Sequence, residues 1–350
     1  CEEKGSEHMS ESTGRAGRVR AGFTDLKHIF GGGQSDVRQF GILFSLIAII
    51  ALFQWSTNGL TLSSGNLINL VSQYSYILIL AIGMVMVIIA GHIDLSVGSV
   101  MAFCAVVAGT VLKLDGLSVG MAITLAVLVS MACGVACGLV NGMISSFWAV
   151  PSFIVTLGML NIARGAALQW TDARSIYEFP NEFNDFGTAT VLGIPALFLV
   201  ALAMVVVGWL VLTRTVFGRL IYAIGNNEEA VRLAGHNVLF YKIAAFTIGG
   251  AAVGVAAVLY MTRLTVASPI LGIGFELNAI AAVIIGGTSL NGGRGSIIGT
   301  LLGACIIGVL ANGLVLVGVS DFIRQMITGG VIILAVVLDT YRLRLSRRAA

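Results

Sequence analysis

Two stretches bring groups capable of chemistry into an otherwise apolar chain. The first, AGHIDLSVGSV at 90–100, sets His92, Asp94 and Ser96 between hydrophobic runs. The second, GGTSLNGGRGSIIG at 286–299, sets Thr288, Ser289 and Arg294 in similar surroundings. Ion coupling needs titratable groups at membrane depth; Asp94 and Glu276 fit that role, and His92 fits it less well. Both acids stand at expected helix starts, where free amides and the positive dipole end favour a cap. The plainer reading of each is therefore structural. The second stretch looks superficially like a phosphate loop. Such a loop ends in Gly-Lys-Ser/Thr, and none of Lys4, Lys27, Lys113 and Lys242 follows a glycine. Any ATP work would come from another subunit.

The surrounding composition says what must position these groups. The chain has 350 residues, 57% of them hydrophobic and 11% charged, against about 25% charged in soluble domains. No Asp, Glu, Lys or Arg occurs among the 55 residues between Arg38 and Asp94, or the 48 between Asp115 and Arg164. A helix crosses the hydrocarbon core in about 20 apolar residues, so each gap holds two spans. The reading is an all-α polytopic membrane protein with about ten transmembrane helices, at 40–55, 66–90, 97–112, 118–145, 151–169, 193–213, 242–262, 276–288, 296–317 and 321–339. A barrel would show alternating ten-residue segments, which are absent. The segment 276–288 is short and could be re-entrant. With the N-terminus inside, fifteen of the twenty Lys and Arg residues fall on the cytoplasmic side, as the positive-inside rule requires. The exceptions are Lys113, Arg164, Arg174, Arg263 and Arg324.

The expected organisation is a cytoplasmic N-terminal tail at 1–39, a transmembrane domain at 40–339 and a basic cytoplasmic C-terminal tail at 340–350. Residues 1–8 precede Met9 and read as an artificial leader. A loop at 170–192 faces outward and one at 214–241 faces the cytoplasm. Cys104, Cys133, Cys137 and Cys305 lie in apolar runs and read as buried free thiols. No spacing of Cys, His or acids suggests a metal, and no catalytic constellation is present. No cofactor and no nucleic-acid partner are expected. Asn69, Gln73, Asn141 and Asn161 read as interhelical hydrogen bonders, or as lining for a polar path.

Within the cytoplasmic loop, Asn226 or Asn227 can cap a short helix with Glu228 and Glu229 in its first turn. Ala230, Leu233 and Ala234 give that helix a small apolar face beside Arg232, and Gly235 can end it. Exposed below the membrane, it suits docking to a soluble protein better than lying on lipid, because it has few large apolar residues. The two polar breaks, at 90–100 and 286–299, look like weak counterparts in the two halves. Paired glycine-interrupted segments point to a transport path; the alternative is a pair of tight turns.

Five blocks carry a family resemblance: GHIDLSVGS at 91–99, GLVNG at 138–142, VPSFIVTLGM at 150–159 with Arg164-Gly165 after it, GRLIYAIGNNEEAVRLAGHNV at 218–238 and AAVIIGGTSLNGGRGSIIGTLLGA at 281–304. From Asn66 to Leu338 the chain resembles the permease subunit of bacterial ABC importers of the ribose, xylose and multiple-monosaccharide type. The resemblance implies the ABC importer permease fold in the inner membrane, as a homodimer around a pore. It also implies a cytoplasmic ATPase subunit and a periplasmic sugar-binding protein as partners. The ATPase-coupling segment would then be Asn226, Asn227, Glu228, Glu229, Ala230, Arg232, Leu233 and Gly235. The translocation path would draw on Asp94, Ser96, Asn141, Thr156, Thr288 and Ser289. His92 resembles the xylose and multiple-monosaccharide branch. Competing readings are a permease for another small polar solute (a nucleoside or autoinducer), an ion-coupled secondary carrier, or a membrane scaffold or sensor.

Overall fold

The computed structural model describes residues 34–348. The expected leader at 1–8 and most of the 1–39 tail lie outside the described residues. A helix lies on each of the ten expected stretches, in some cases over only part of it: α1 (Gln34–Ser56), α2 (Ser64–Ile89), α3 (Val97–Leu112), α4 (Val119–Phe147), α5 (Ser152–Trp170), α7 (Ala196–Arg214), α10 (Val238–Leu264), α11 (Phe275–Ile285), α12 (Ile297–Leu316) and α13 (Asp321–Arg348). Three shorter helices fill the loops: α6 (Asn181–Phe186), α8 (Val216–Asn226) and α9 (Glu228–Leu233). The strands β1 (Thr190–Val191) and β2 (Ile194–Pro195) make one small hairpin.

Local chemistry sets many of the starts. Ser63, Ser118, Thr215, Asn227, Asn237 and Ser296 each accept a backbone N–H from the first turn of the next helix, satisfying donors that have no intrahelical partner. Pro151, Pro180 and Pro195 stand just before α5, α6 and α7, where a missing N–H costs nothing.

Burial sorts the helices into a centre and a rim. The α2 helix is the axis, with every residue from Ser75 to Ile89 buried. It packs against α7, α10, α11 and α12. In α1 few side chains are buried, Ile42 and Phe53 among them, and Phe44 and Trp55 are exposed, as suits a helix whose solvent is hydrocarbon. The tightest seam joins α4 to α10. Gly134, Gly138 and Gly142 face Gly250, Gly254 and Phe246 so closely that an added Cβ would collide with opposing backbone. Small residues four apart let two backbones approach in this way. The Ser130 hydroxyl donates across the seam to the Gly254 carbonyl at 2.8 Å.

Among the described residues, six helices are long and apolar enough to cross a membrane. The expected span at 276–288 is a shorter helix ending at Ile285, because Gly287 turns left-handed at φ +95°. Eleven residues at about 1.5 Å each cover roughly half of the hydrocarbon core. The expected C-terminal tail at 340–350 is, through Arg348, a continuation of α13. Of the four cysteines expected to be buried, Cys104 is buried, Cys133 and Cys137 are partly so, and Cys305 is exposed.

The loop at 170–192 folds back on the bundle. Ile176 and Ala267 exchange backbone hydrogen bonds at 2.8 and 3.0 Å. Phe179 and Phe183 pack edge to face at 5.6 Å, and Gly187 lies on the Thr262 carbonyl. The opposite end of the bundle gathers residues 89–96, α8, α9 and 286–296.

Candidate functional site: two polar breaks and the α8–α9 joint

The first break separates α2 from α3. Its helix stops because Gly91 adopts φ +85°. Gly91 N–H donates to the Ile88 carbonyl at 2.9 Å and His92 N–H to that of Val87 at 3.0 Å, which is a Schellman cap. Beyond the cap, side chains hold residues 93–96 in place. Asp94 Oδ1 accepts from the Ser96 hydroxyl at 2.6 Å and from Ser96 N–H at 2.8 Å. The Asn141 amide, reaching in from α4, donates to Ser96 Oγ at 3.0 Å. From α5, the Ser152 hydroxyl oxygen accepts Ile93 N–H at 3.0 Å, and the Thr156 hydroxyl donates to Ser152 O at 2.9 Å.

This geometry revises the capping expectation. Ser96 stands at the α3 N-cap position but makes no side-chain cap bond. Its hydroxyl is taken up by Asp94 and Asn141, and Asp94 binds the amide of the cap residue itself. Glu276 does act locally: its Oε1 accepts Gly274 N–H at 3.3 Å, at the start of α11. Two of the expected interhelical asparagines bridge helices, Asn141 to Ser96 and Asn69 to Arg263 at 3.1 Å. Asn161 instead donates to Leu157 O of its own helix.

The second break separates α11 from α12. Gly287 N–H donates to Ile284 O at 2.8 Å and Thr288 N–H to Val283 O at 3.1 Å, the same cap again. Beyond this cap the loop is held by its own backbone. Ser289 N–H donates to Arg294 O at 3.0 Å and Gly292 N–H to Ser289 O at 3.1 Å, around Gly292 and Gly293 at φ +81° and +71°.

The two breaks meet. Gly293 N–H donates to Ile89 O, the last residue of α2, at 2.8 Å. Gly292 lies against the Gly91 backbone and Gly225. The structure therefore joins Asp94, Ser96 and Asn141 in one network, sets Thr156 beside it through Ser152, and carries Thr288 and Ser289 on the adjoining break. All six are buried. Four nearby side-chain atoms are buried without a hydrogen-bond partner: His92 Nε2, Asn141 Oδ1, Ser145 Oγ and Thr288 Oγ1. Unpaired polar atoms in such a place are costly.

The joint between α8 and α9 is built on α8. Leu220, Ile221 and Ile224 are buried, and Leu220 and Ile224 share a small core with Val231 and Val238, apart from the main one. The α8 helix runs directly into α9. Asn227 N–H donates to Ala223 O at 2.9 Å, and the Asn227 side chain accepts Ala230 N–H at 3.0 Å. The first turn of α9 carries Glu228 and Glu229. Glu228 pairs with Lys242 at 2.6 Å, and Glu229 pairs with Arg232. Leu233 is 80% exposed, and Gly235 closes the helix at φ +84°. Asn226 points the other way, its amide donating to Gly293 O at 3.3 Å. Tyr222 donates its hydroxyl to Gly295 O at 2.8 Å. Burial pushes that phenol up to about 12, so it remains a donor at physiological pH. Sequence reasoning missed Tyr222, Gly225 and Ser152. Of these only Gly225, a glycine inside a helical pattern, carried a readable signal.

Residues 66–336 match the family described as branched-chain amino acid transport system, permease component, within two residues of the expected Asn66–Leu338. The ribose import permease protein of Escherichia coli (strain K12) is 40% identical over 301 residues, covering 85% of this chain and 91% of that one. The ribose import permease protein of Bacillus subtilis (strain 168) is 39% identical over 320 residues, covering 90% and 96%. The xylose transport system permease protein of Escherichia coli (strain K12) is 32% identical, covering 91% and 94%. No solved structure matches significantly. With a buried helical bundle, paired polar breaks and a match across most of its length, the chain belongs to this family of membrane-embedded permease components.

Proposed function

We propose that this protein is the transmembrane permease subunit of an ATP-binding-cassette importer for a monosaccharide, a ribose- or xylose-like pentose or a related sugar. An even number of crossings would place both termini in the cytoplasm, with α8, α9 and both breaks on that side and the 170–192 loop outside. Two copies would enclose the pore. A separate ATPase would dock on α9 and a binding protein would deliver sugar at the outer loop. The observation that carries this reading is α9 itself. It is a capped helix that presents Leu233 to solvent on its own small core and is joined without a linker to α8. Such a peg suits a protein partner. Relatives named for ribose and xylose supply the substrate class.

A partner that moves α9 would shift both breaks and exchange an outward-open for an inward-open path, with no chemical change to the sugar. Asp94, Ser96, Asn141, Thr156, Thr288 and Ser289 would border that path as it opens. The Asp94 carboxylate is already engaged by Ser96, which speaks against its service as a cycling ion site.

The test is reconstitution in liposomes with the ATPase and the binding protein. Sugar accumulates only with ATP, and Glu229→Arg combined with Ala230→Trp abolishes sugar-stimulated hydrolysis. Accumulation by the permease alone, driven by an ion gradient, overturns the proposal.

A further inference from the structure

We propose that Tyr222 and Asn226 form a clamp that carries movement of α9 to both polar breaks together, making them positioning residues for transport coupling. The inference rests on the importer reading above and adds the route by which a docking helix reaches the membrane. Three contacts converge over five residues of α8, and a fourth joins the two breaks to each other. Tyr222 holds the Gly295 carbonyl at 2.8 Å and Asn226 holds that of Gly293 at 3.3 Å. Gly225 sits so tightly on the Ile89 carbonyl and the Gly293 amide that a Cβ has no room. Gly293 in turn donates to Ile89 O at 2.8 Å. The last turn of α8 is thus bound to the end of α2 and to the loop before α12 at once.

Two further features make the end of α8 a lever. Leu220, Ile224, Val231 and Val238 pack with one another in a separate small core, which ties α8, α9 and the start of α10 together, while Ile221 seats the opposite side of α8 in the main core. The clamp then ties this body to the breaks through directional hydrogen bonds on glycine carbonyls, and a glycine-rich loop has few side chains of its own to resist displacement. Apolar packing alone would allow α8 to slide. Two fixed acceptors in one loop do not.

The experiment uses the full complex in liposomes, with spin labels on the exposed positions 236 and 294 (His236→Cys and Arg294→Cys). In the otherwise unaltered protein the label distance stays constant through the ATP cycle. Tyr222→Phe, and the double variant Tyr222→Phe/Asn226→Ala, broaden or shift that distance. Sugar accumulated per ATP falls about fivefold in Tyr222→Phe, as loss of one hydrogen bond near 1 kcal/mol implies. In that variant, recovery of the assembled complex and unstimulated hydrolysis stay within about twofold. Any other pattern overturns the clamp: unchanged sugar per ATP, unchanged distances, or a transport loss that follows loss of assembled complex. Absence of ATP-dependent uptake in the protein with native residues would instead sink the importer reading, so the two failures are distinguishable.

Discussion

The two breaks begin alike and then part. Both helices end in the same cap, Gly91 and His92 closing α2 as Gly287 and Thr288 close α11, with hydrogen bonds at matching offsets. In each case the residue after the glycine carries a buried, unpartnered polar atom, His92 Nε2 or Thr288 Oγ1. The cap alone proves no kinship, since Gly235 and Gly318 close α9 and α12 in the same way. The contrast lies in how each loop is held beyond its cap. The first break is fixed by side chains reaching in from α4 and α5. The second is fixed by its own backbone, by the end of α2 and by Tyr222 and Asn226 of α8, with no side chain from α4 or α5 among the described residues holding it. One is therefore anchored to α4 and α5 and the other to α2 and α8.

The largest effect should separate the two glycines that turn these loops. Gly293 has φ +71°, and a Cβ there meets the Asn226 side chain and backbone. Gly293→Ala therefore adds overpacking to left-handed strain and costs about 4 kcal/mol. Gly91 has φ +85° with nothing within 4 Å of its Cβ position, so Gly91→Ala carries strain alone, about 1–2 kcal/mol. Unfolding of the two purified variants in one detergent measures the difference. Equal losses would mean that the second loop is no more tightly seated than the first.

A second pair tests which groups hold each break. Asp94→Ala strands the Ser96 amide and hydroxyl in a buried site, at a cost of about 3 kcal/mol. Ser289→Ala removes one long bond, from Asn291 N–H at 3.3 Å, and costs under about 1 kcal/mol. Asp94→Asn keeps an acceptor and recovers most of the loss. If Ser289→Ala proves as damaging as Asp94→Ala in the same unfolding assay, the contrast between side-chain and backbone support is wrong.

The helices were legible because apolar runs of the right length are bounded by caps, turns and charge. The α3 stretch at 97–112 needed no revision. Where charge was taken as a boundary, the reading slipped. The α10 helix starts at Val238, not 242, because Asn237 caps it and Lys242 finds Glu228. The short α8 was not foreseen as a separate helix, since its pattern spans only three turns and includes Arg219. The Asn227 cap was among the options because a side chain and its amide three residues on are local in sequence. The Ser152–Ile93 bond and the seating of Gly292 on Gly91 were invisible because they join residues 59 and 201 positions apart. Periodicity and capping rules describe one element at a time. The meeting of the breaks is a property of packing, and so is the burial of all six residues assigned to the path.

The smallest stability effect belongs to Thr288, and it sharpens the comparison most. Its side chain is fully buried, and its hydroxyl has no hydrogen-bond partner. Valine has the same shape without the unpaired hydroxyl, so Thr288→Val leaves stability unchanged or raises it by up to about 1 kcal/mol. A hydroxyl kept at this cost is useful if the path exposes it to a passing sugar, and uptake should then fall about fivefold through one lost hydrogen bond. Unfolding and uptake measured on the same preparation keep the two effects apart. A stability loss above about 1 kcal/mol would show that the hydroxyl serves the fold. Unchanged uptake would take Thr288 off the path, and would leave His92, its counterpart beyond the first cap, as the position to test next.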